Sequence, residues 1–171
     1  DNAHPFYNAT PAVTVASADA TSDPTCGAIG GTNANSGTAT IAAAYPPTCS
    51  VSANPLAFGN VASSLSGLSA STSIETTCSA ATPYTIAMNG GLTGATDPAA
   101  RQMQKSSDTL TYGIYSNSNH TQIWGDTAGV DTVGNTGTGS TQSIPVYGRI
   151  QPQPTPPTGT YSDTVVVTVN Y

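Results

Sequence analysis

Hydrophobic and polar residues alternate most strictly from Tyr161 to Tyr171. Odd positions there are apolar apart from Asp163, and even positions are Ser, Thr or Asn apart from Val166. A two-residue period filled with valine and tyrosine predicts a β-strand with one buried face. Similar stretches predict strands over 49–58, 71–78, 84–88, 109–115, 121–124 and 143–150. Earlier in the chain, Ala39, Ile41, Ala43 and Tyr45 share one face of an extended segment that Pro46-Pro47 ends. No window longer than a turn or two carries a 3.6-residue apolar repeat without Gly or Pro interrupting it. The expected fold is all-β, an antiparallel β-sandwich. Residues 151–157, with Pro at 152, 154, 156 and 157, are expected to form an extended strap from one sheet to the other. A terminal strand as apolar as 161–171 is expected to keep one edge uncovered by its own chain, and an open edge invites a strand from elsewhere.

Length and composition narrow the partners. A chain of 171 residues can bury about 70 % of its unfolded surface in one core without metal or cofactor. Residues 1–36 read as an N-terminal extension with no core of its own, 37–47 as a separate strand and linker, and 48–171 as the main domain. Only 7 % of residues are charged, against about a quarter in ordinary domains. The net charge of −6 provides no basic patch for nucleic acid or anionic lipid. No apolar run approaches the roughly 20 residues that cross a bilayer as a helix, so no membrane insertion is expected. The start at Asp1 fits a mature, processed product.

Candidate chemistry is sparse. Cys26, Cys49 and Cys78 match no zinc spacing, and His4 and His120 stand far apart. One disulfide with one cysteine left over suits an exported protein. Cys49 and Cys78 each abut a predicted strand, so they are the favoured pair, leaving Cys26 free, bonded to a neighbouring subunit or in a reshuffled pair. Trp124-Gly125-Asp126 reads as a core Trp at a strand end, with the Asp bonding backbone amides. Residues 125–140 read as a flexible surface loop rather than a calcium site. Both histidines read as solvated, and Arg101, Lys105 and Arg149 as structural partners for carboxylates. Asn8-Ala-Thr10 and Asn119-His-Thr121 are glycosylation sequons on paper. No nucleophile elbow exists, and Glu75 is the lone glutamate, so no enzyme, catalytic residue or cofactor is expected.

Several motifs in order carry a family resemblance: Cys49-Ser-Val-Ser-Ala-Asn-Pro-Leu-Ala-Phe58-Gly59, Cys78, Gly90-Gly91, Arg101, Leu110-Thr-Tyr112, Trp124-Gly125-Asp126, Val146-Tyr-Gly148-Arg149-Ile150 and Gly159-Thr-Tyr161-Ser-Asp163. Over about residues 38–171 the chain resembles the spore coat protein U family, which supplies subunits of archaic chaperone–usher pili. The resemblance implies an immunoglobulin-like sandwich lacking its last strand, completed by a donor strand from a neighbouring subunit. It implies identical subunits polymerised head to tail, with a periplasmic chaperone and an outer-membrane usher as assembly partners. The product would be an extracellular fimbria serving attachment and biofilm formation; a tip adhesin or a spore or cell coat protein of the same fold is the alternative. In the family the donor strand precedes the first conserved cysteine, which matches Cys49 here, and this points to Ala39, Ile41, Ala43 and Tyr45. A competing donor is 12–18, with Val13 and Val15. The acceptor groove would be walled by Tyr161, Val165, Val167, Val169 and Tyr171.

Overall fold

A computed structural model describes residues 40–61, 65 and 67–171. Ala39, the competing donor 12–18, the 1–36 extension, His4 and Cys26 lie outside the described residues. The chain divides into two units, Asp1–Ala43 and Ala44–Tyr171, and every described strand belongs to the second.

That unit is all-β. A five-stranded sheet has the order β1-β2-β7-β5-β4 and a three-stranded sheet the order β6-β3-β8, with all ladders antiparallel. In the larger sheet β1 is Cys49–Ala53, β2 Ser69–Cys78, β4 Arg101–Lys105, β5 Asp108–Tyr115 and β7 Thr141–Ile150; in the smaller, β3 is Pro83–Met88, β6 Val133–Thr136 and β8 Val167–Asn170. Alternation decides which residues meet between the sheets. Ile74, Ile114, Ile144, Val146 and Ile150 from one sheet and Tyr84, Ile86 and Met88 from the other join one buried cluster around Trp124. The Trp124 indole is fully buried and donates its N–H to the Ile86 carbonyl at 2.9 Å. It is a core residue, as its sequence context suggested.

A disulfide joins Cys49 and Cys78, which face each other in the β1–β2 ladder. The proline-rich segment leaves β7 in one sheet and leads to the run that ends as β8 in the other. Several elements differ from expectation. The first strand stops at Ala53, because Asn54-Pro55 breaks the ladder. The expected strand 121–124 reduces to one bridge, Tyr115 to Ile123. β4 was not legible: RQMQK has one apolar side chain and no alternation, which suits an edge strand. The stretch expected to be only a flexible loop, 125–140, contains β6, and Asp131 rather than Asp126 bonds a backbone amide there, Thr127 N–H at 2.7 Å. His120 is half-buried rather than solvated, its ring edge-on to Tyr115 and Tyr147.

Candidate functional site

Among the described residues, one side of the sandwich is open. β1 ends the larger sheet and β8 ends the smaller. The β1 residues on the interior face, Val51 and Ala53, sit opposite buried Thr76 and Ile74. Even so, Val51 is 38 % exposed and Ala53 is exposed as well. Residues that face a core and still meet solvent mark a place that no described strand covers.

Two adjoining cavities fill that place. The first, about 530 Å³, lies between residues 53–58 on one side and 161–167 on the other, with Ile74, Met88, Ile114 and Val146 among its lining. The second, about 500 Å³, lies between 56–61 and 155–161. Leu56, Phe58, Met103 and Tyr161 border both, so they form a ridge between the two. Chain numbers rise toward the second cavity along 53–61 and fall toward it along 167–155, so the two walls run antiparallel. Gly148 lets the first wall approach: a Cβ there would lie 2.6 Å from Leu56 Cδ2 and 2.9 Å from Phe58 Cζ.

The second wall is the alternating run. Ser162 exchanges backbone bonds with Gln104 of β4, and Val166 C=O accepts from Asn89 N–H at 3.2 Å. Beyond them Thr168 and Asn170 pair with Ala87 and Thr85 of β3. Even-numbered residues therefore turn their main-chain groups to established partners, and antiparallel geometry turns those of Val165, Val167 and Val169 to the open side. The side chains of these three are half-buried and face inward. Apolar burial and a hydrogen-bond ladder left unfilled among the described residues thus coincide, which is what an added strand needs.

The groove is braced by polar contacts that alternation alone does not reveal. Asp163, the exception in the apolar series, accepts from Tyr112 O–H at 2.6 Å and from Leu92 N–H at 2.7 Å. Gly91 makes room for it: its φ is +74° and a Cβ there would meet the carboxylate at 2.1 Å. Burial first, and then the hydrogen bond to Asp163, pushes the Tyr112 phenol well above its ordinary range. Arg101 is fully buried and donates to the carbonyls of Met88, Asn89, Pro98 and Trp124 at 2.7–2.8 Å. Its donors go to backbone oxygens rather than to the expected carboxylate. Burial lowers its pKa, opposed by the nearby carboxylates of Asp126, Asp163 and Asp131. Lys105 likewise donates to a carbonyl, that of Thr158, and Tyr161 O–H donates to Pro157 O at 2.8 Å. These contacts hold the strap at the far end of the groove.

Of the residues expected to wall the groove, Tyr161, Val165 and Val167 line the first cavity, and Val169 packs against the core beside it. Tyr171 stands apart, 59 % exposed. Of the expected donor residues, Ile41 is 70 % and Tyr45 85 % exposed, Ala43 is also exposed, and 40–48 carry no strand. The opposite wall, Val51 to Phe58, was read only as a strand. Its Asn-Pro break followed by two bulky apolar residues was the available signal.

Residues 35–168 match the family model described as the Spore Coat Protein U domain. Among solved structures the chain is similar to one in the complex of the chaperone CsuC with the tip adhesion subunit CsuE, from the archaic chaperone–usher Csu pili of Acinetobacter baumannii. Identity is 27 %, the TM-score is 0.55, and the match covers 74 % of this chain and 40 % of the other. This chain therefore spans well under half of that one. No curated protein matches it. The chain belongs to the Spore Coat Protein U domain family, and its fold is that family's incomplete immunoglobulin-like sandwich.

Proposed function

We propose that this chain is a structural subunit of an extracellular fimbria, polymerised non-covalently as a strand from one copy fills the groove of the next. The observation that carries the reading is the double cavity between 53–61 and 155–167, where half-buried apolar side chains lie beside an edge of β8 that no other described strand pairs with. A groove in one place and a donor strand in another make a heterologous interface, which grows a filament rather than closing a dimer. The family is structural and non-enzymatic. A periplasmic chaperone is the partner that occupies the groove before assembly, by analogy with the Csu pre-assembly complex. An outer-membrane usher and the cell surface complete the route, and attachment and biofilm formation are the roles such a fibre serves.

A tip position is the second reading, because the similar solved complex contains a tip adhesion subunit. Immunogold electron microscopy of the producing cell distinguishes the two. Label along the shaft supports the rod subunit, and label confined to fibre ends supports the tip. Cells whose surface carries label without any fibre would overturn both.

A further inference from the structure

The proposed occupant is a strand of a second copy, and the shape of the groove goes further by selecting its register. We infer that the groove reads a bulky–small–bulky triplet, Ile41, Ala43 and Tyr45 of the second copy, with Ile41 beside Val165, Ala43 beside Asp163 and Tyr45 beside Tyr161. This register rests on the reading that a second copy fills the groove.

Spacing carries the first part. Ile41 and Tyr45 are four residues apart, as are Val165 and Tyr161, so antiparallel pairing aligns both ends of the triplet at once. Val165 is half-buried and lines the first cavity, whose floor is formed by the buried core residues Ile74, Ile114 and Val146. Tyr161 borders the second, whose lining includes Pro156, Pro157 and Leu65, a setting for an aromatic ring. Between them Asp163 is fixed to Tyr112 and the Leu92 amide. The space there is already taken by a carboxylate and a phenol, and alanine is the residue that fits over them.

Chain direction carries the second part. Only Pro46, Pro47 and Thr48 separate Tyr45 from β1. A link this short can turn the preceding segment back against β1 as a hairpin, whereas a parallel neighbour needs a crossover of roughly a dozen residues. The groove walls are antiparallel to each other, so a strand antiparallel to 161–171 runs parallel to β1. The chain's own residues 41–45 cannot reach that arrangement, but those of a second copy can. The prolines favour the same direction. In the antiparallel sense Pro46 and Pro47 fall beyond Tyr161, against residues that form no strand. In the parallel sense they would fall against 166 and 167, where β8 begins and amide donors are needed.

Cysteine cross-linking tests the register. Even-numbered residues on both strands point outward, and Thr164 and Val166 are exposed. Because the odd residues exchange the hydrogen bonds, Ala42 and Thr164 form a close non-hydrogen-bonded pair suited to a disulfide. The full chain, with Cys26→Ser throughout, is made with Ala42→Cys plus one of Ser162→Cys, Thr164→Cys or Val166→Cys. Filaments sheared from the producing cells are oxidised with diamide and run on non-reducing denaturing gels. A covalent ladder from the Thr164→Cys pair alone is the expected result. A ladder from the Ser162→Cys or Val166→Cys pair instead overturns the register and leaves insertion of a second copy standing. Filaments that yield no ladder from any pair overturn the register as well. A cross-link confined to the monomer shows that the strand folds into its own groove, and overturns the second-copy reading too. Tyr45→Ala and Tyr45→Phe give an independent check. At least a tenfold loss of filament yield for Tyr45→Ala with Tyr45→Phe retained is expected, and equal yields overturn the aromatic assignment.

Discussion

Replacing Arg101 by Met removes a guanidinium while keeping an unbranched chain, and it leaves four carbonyls, of Met88, Asn89, Pro98 and Trp124, without their donor. A hydrogen bond to a charged group contributes about 1.5–3 kcal/mol, so four would give roughly 6–12 kcal/mol. Burying the cation costs several kcal/mol in the other direction, and the net loss expected is about 3–5 kcal/mol, the size found when one member of a buried charged cluster is removed. That is a large share of the roughly 5–15 kcal/mol that holds a domain together. Urea unfolding followed by fluorescence reads the change, because Trp124 is the chain's one tryptophan and is fully buried. With a slope of about 2 kcal/mol/M, the midpoint should fall by about 1.5–2.5 M. Arg101→Lys should recover only part of it, since one ammonium has three donors and no fork. A midpoint for Arg101→Met within about 0.5 M of the parent would refute the idea that this clasp ties the 88–101 turn to the core.

Ile41→Asp should abolish filaments while leaving the subunit folded, because an unpaired carboxylate would have to enter an apolar groove. Sedimentation of sheared material with circular dichroism of the monomer checks it, and normal filaments would shift the donor to residues 12–18. Replacing Cys49 and Cys78 together by Ala should lower stability by roughly 3–4 kcal/mol, as expected for a loop of this length. Comparison of melting with and without reductant in the parent should show a drop that the double variant lacks. Alkaline pH supplies a further prediction. The Tyr112 pKa is raised by folding, so its contribution is fully present below the unfolded value of about 10 and is lost as pH rises above it. Stability measured by urea should fall above about pH 10, and Tyr112→Phe should flatten that fall; an unchanged slope in the variant would contradict the assignment.

How much could be read in advance follows from where the physics is local. The alternation in 161–171 was legible because a half-buried strand writes its period into adjacent residues. The core role of Trp124 and the favoured Cys49–Cys78 pairing were legible for similar reasons, one from a strand-end context and the other from flanking strands. β4 was not, since RQMQK gains its place from pairing with β5 rather than from any pattern of its own. The partners of Arg101 were misread because sequence shows charges but not carbonyls. Asp163 stood out as an exception in the alternation, yet its tie to Tyr112 spans fifty-one positions. The groove itself is a property of two sheet edges coming side by side, and only its later wall carried a strong periodic signal.

The central claim is that the open side of this sandwich is closed by another molecule of the same chain. A cryo-electron microscopy reconstruction of the assembled filament tests it most directly. The expected map shows a continuous strand between residues 53–61 and 161–167 of each subunit, connected through Pro46-Pro47 to the domain of its neighbour. An empty groove, or one filled by the subunit's own residues 41–45, would contradict it.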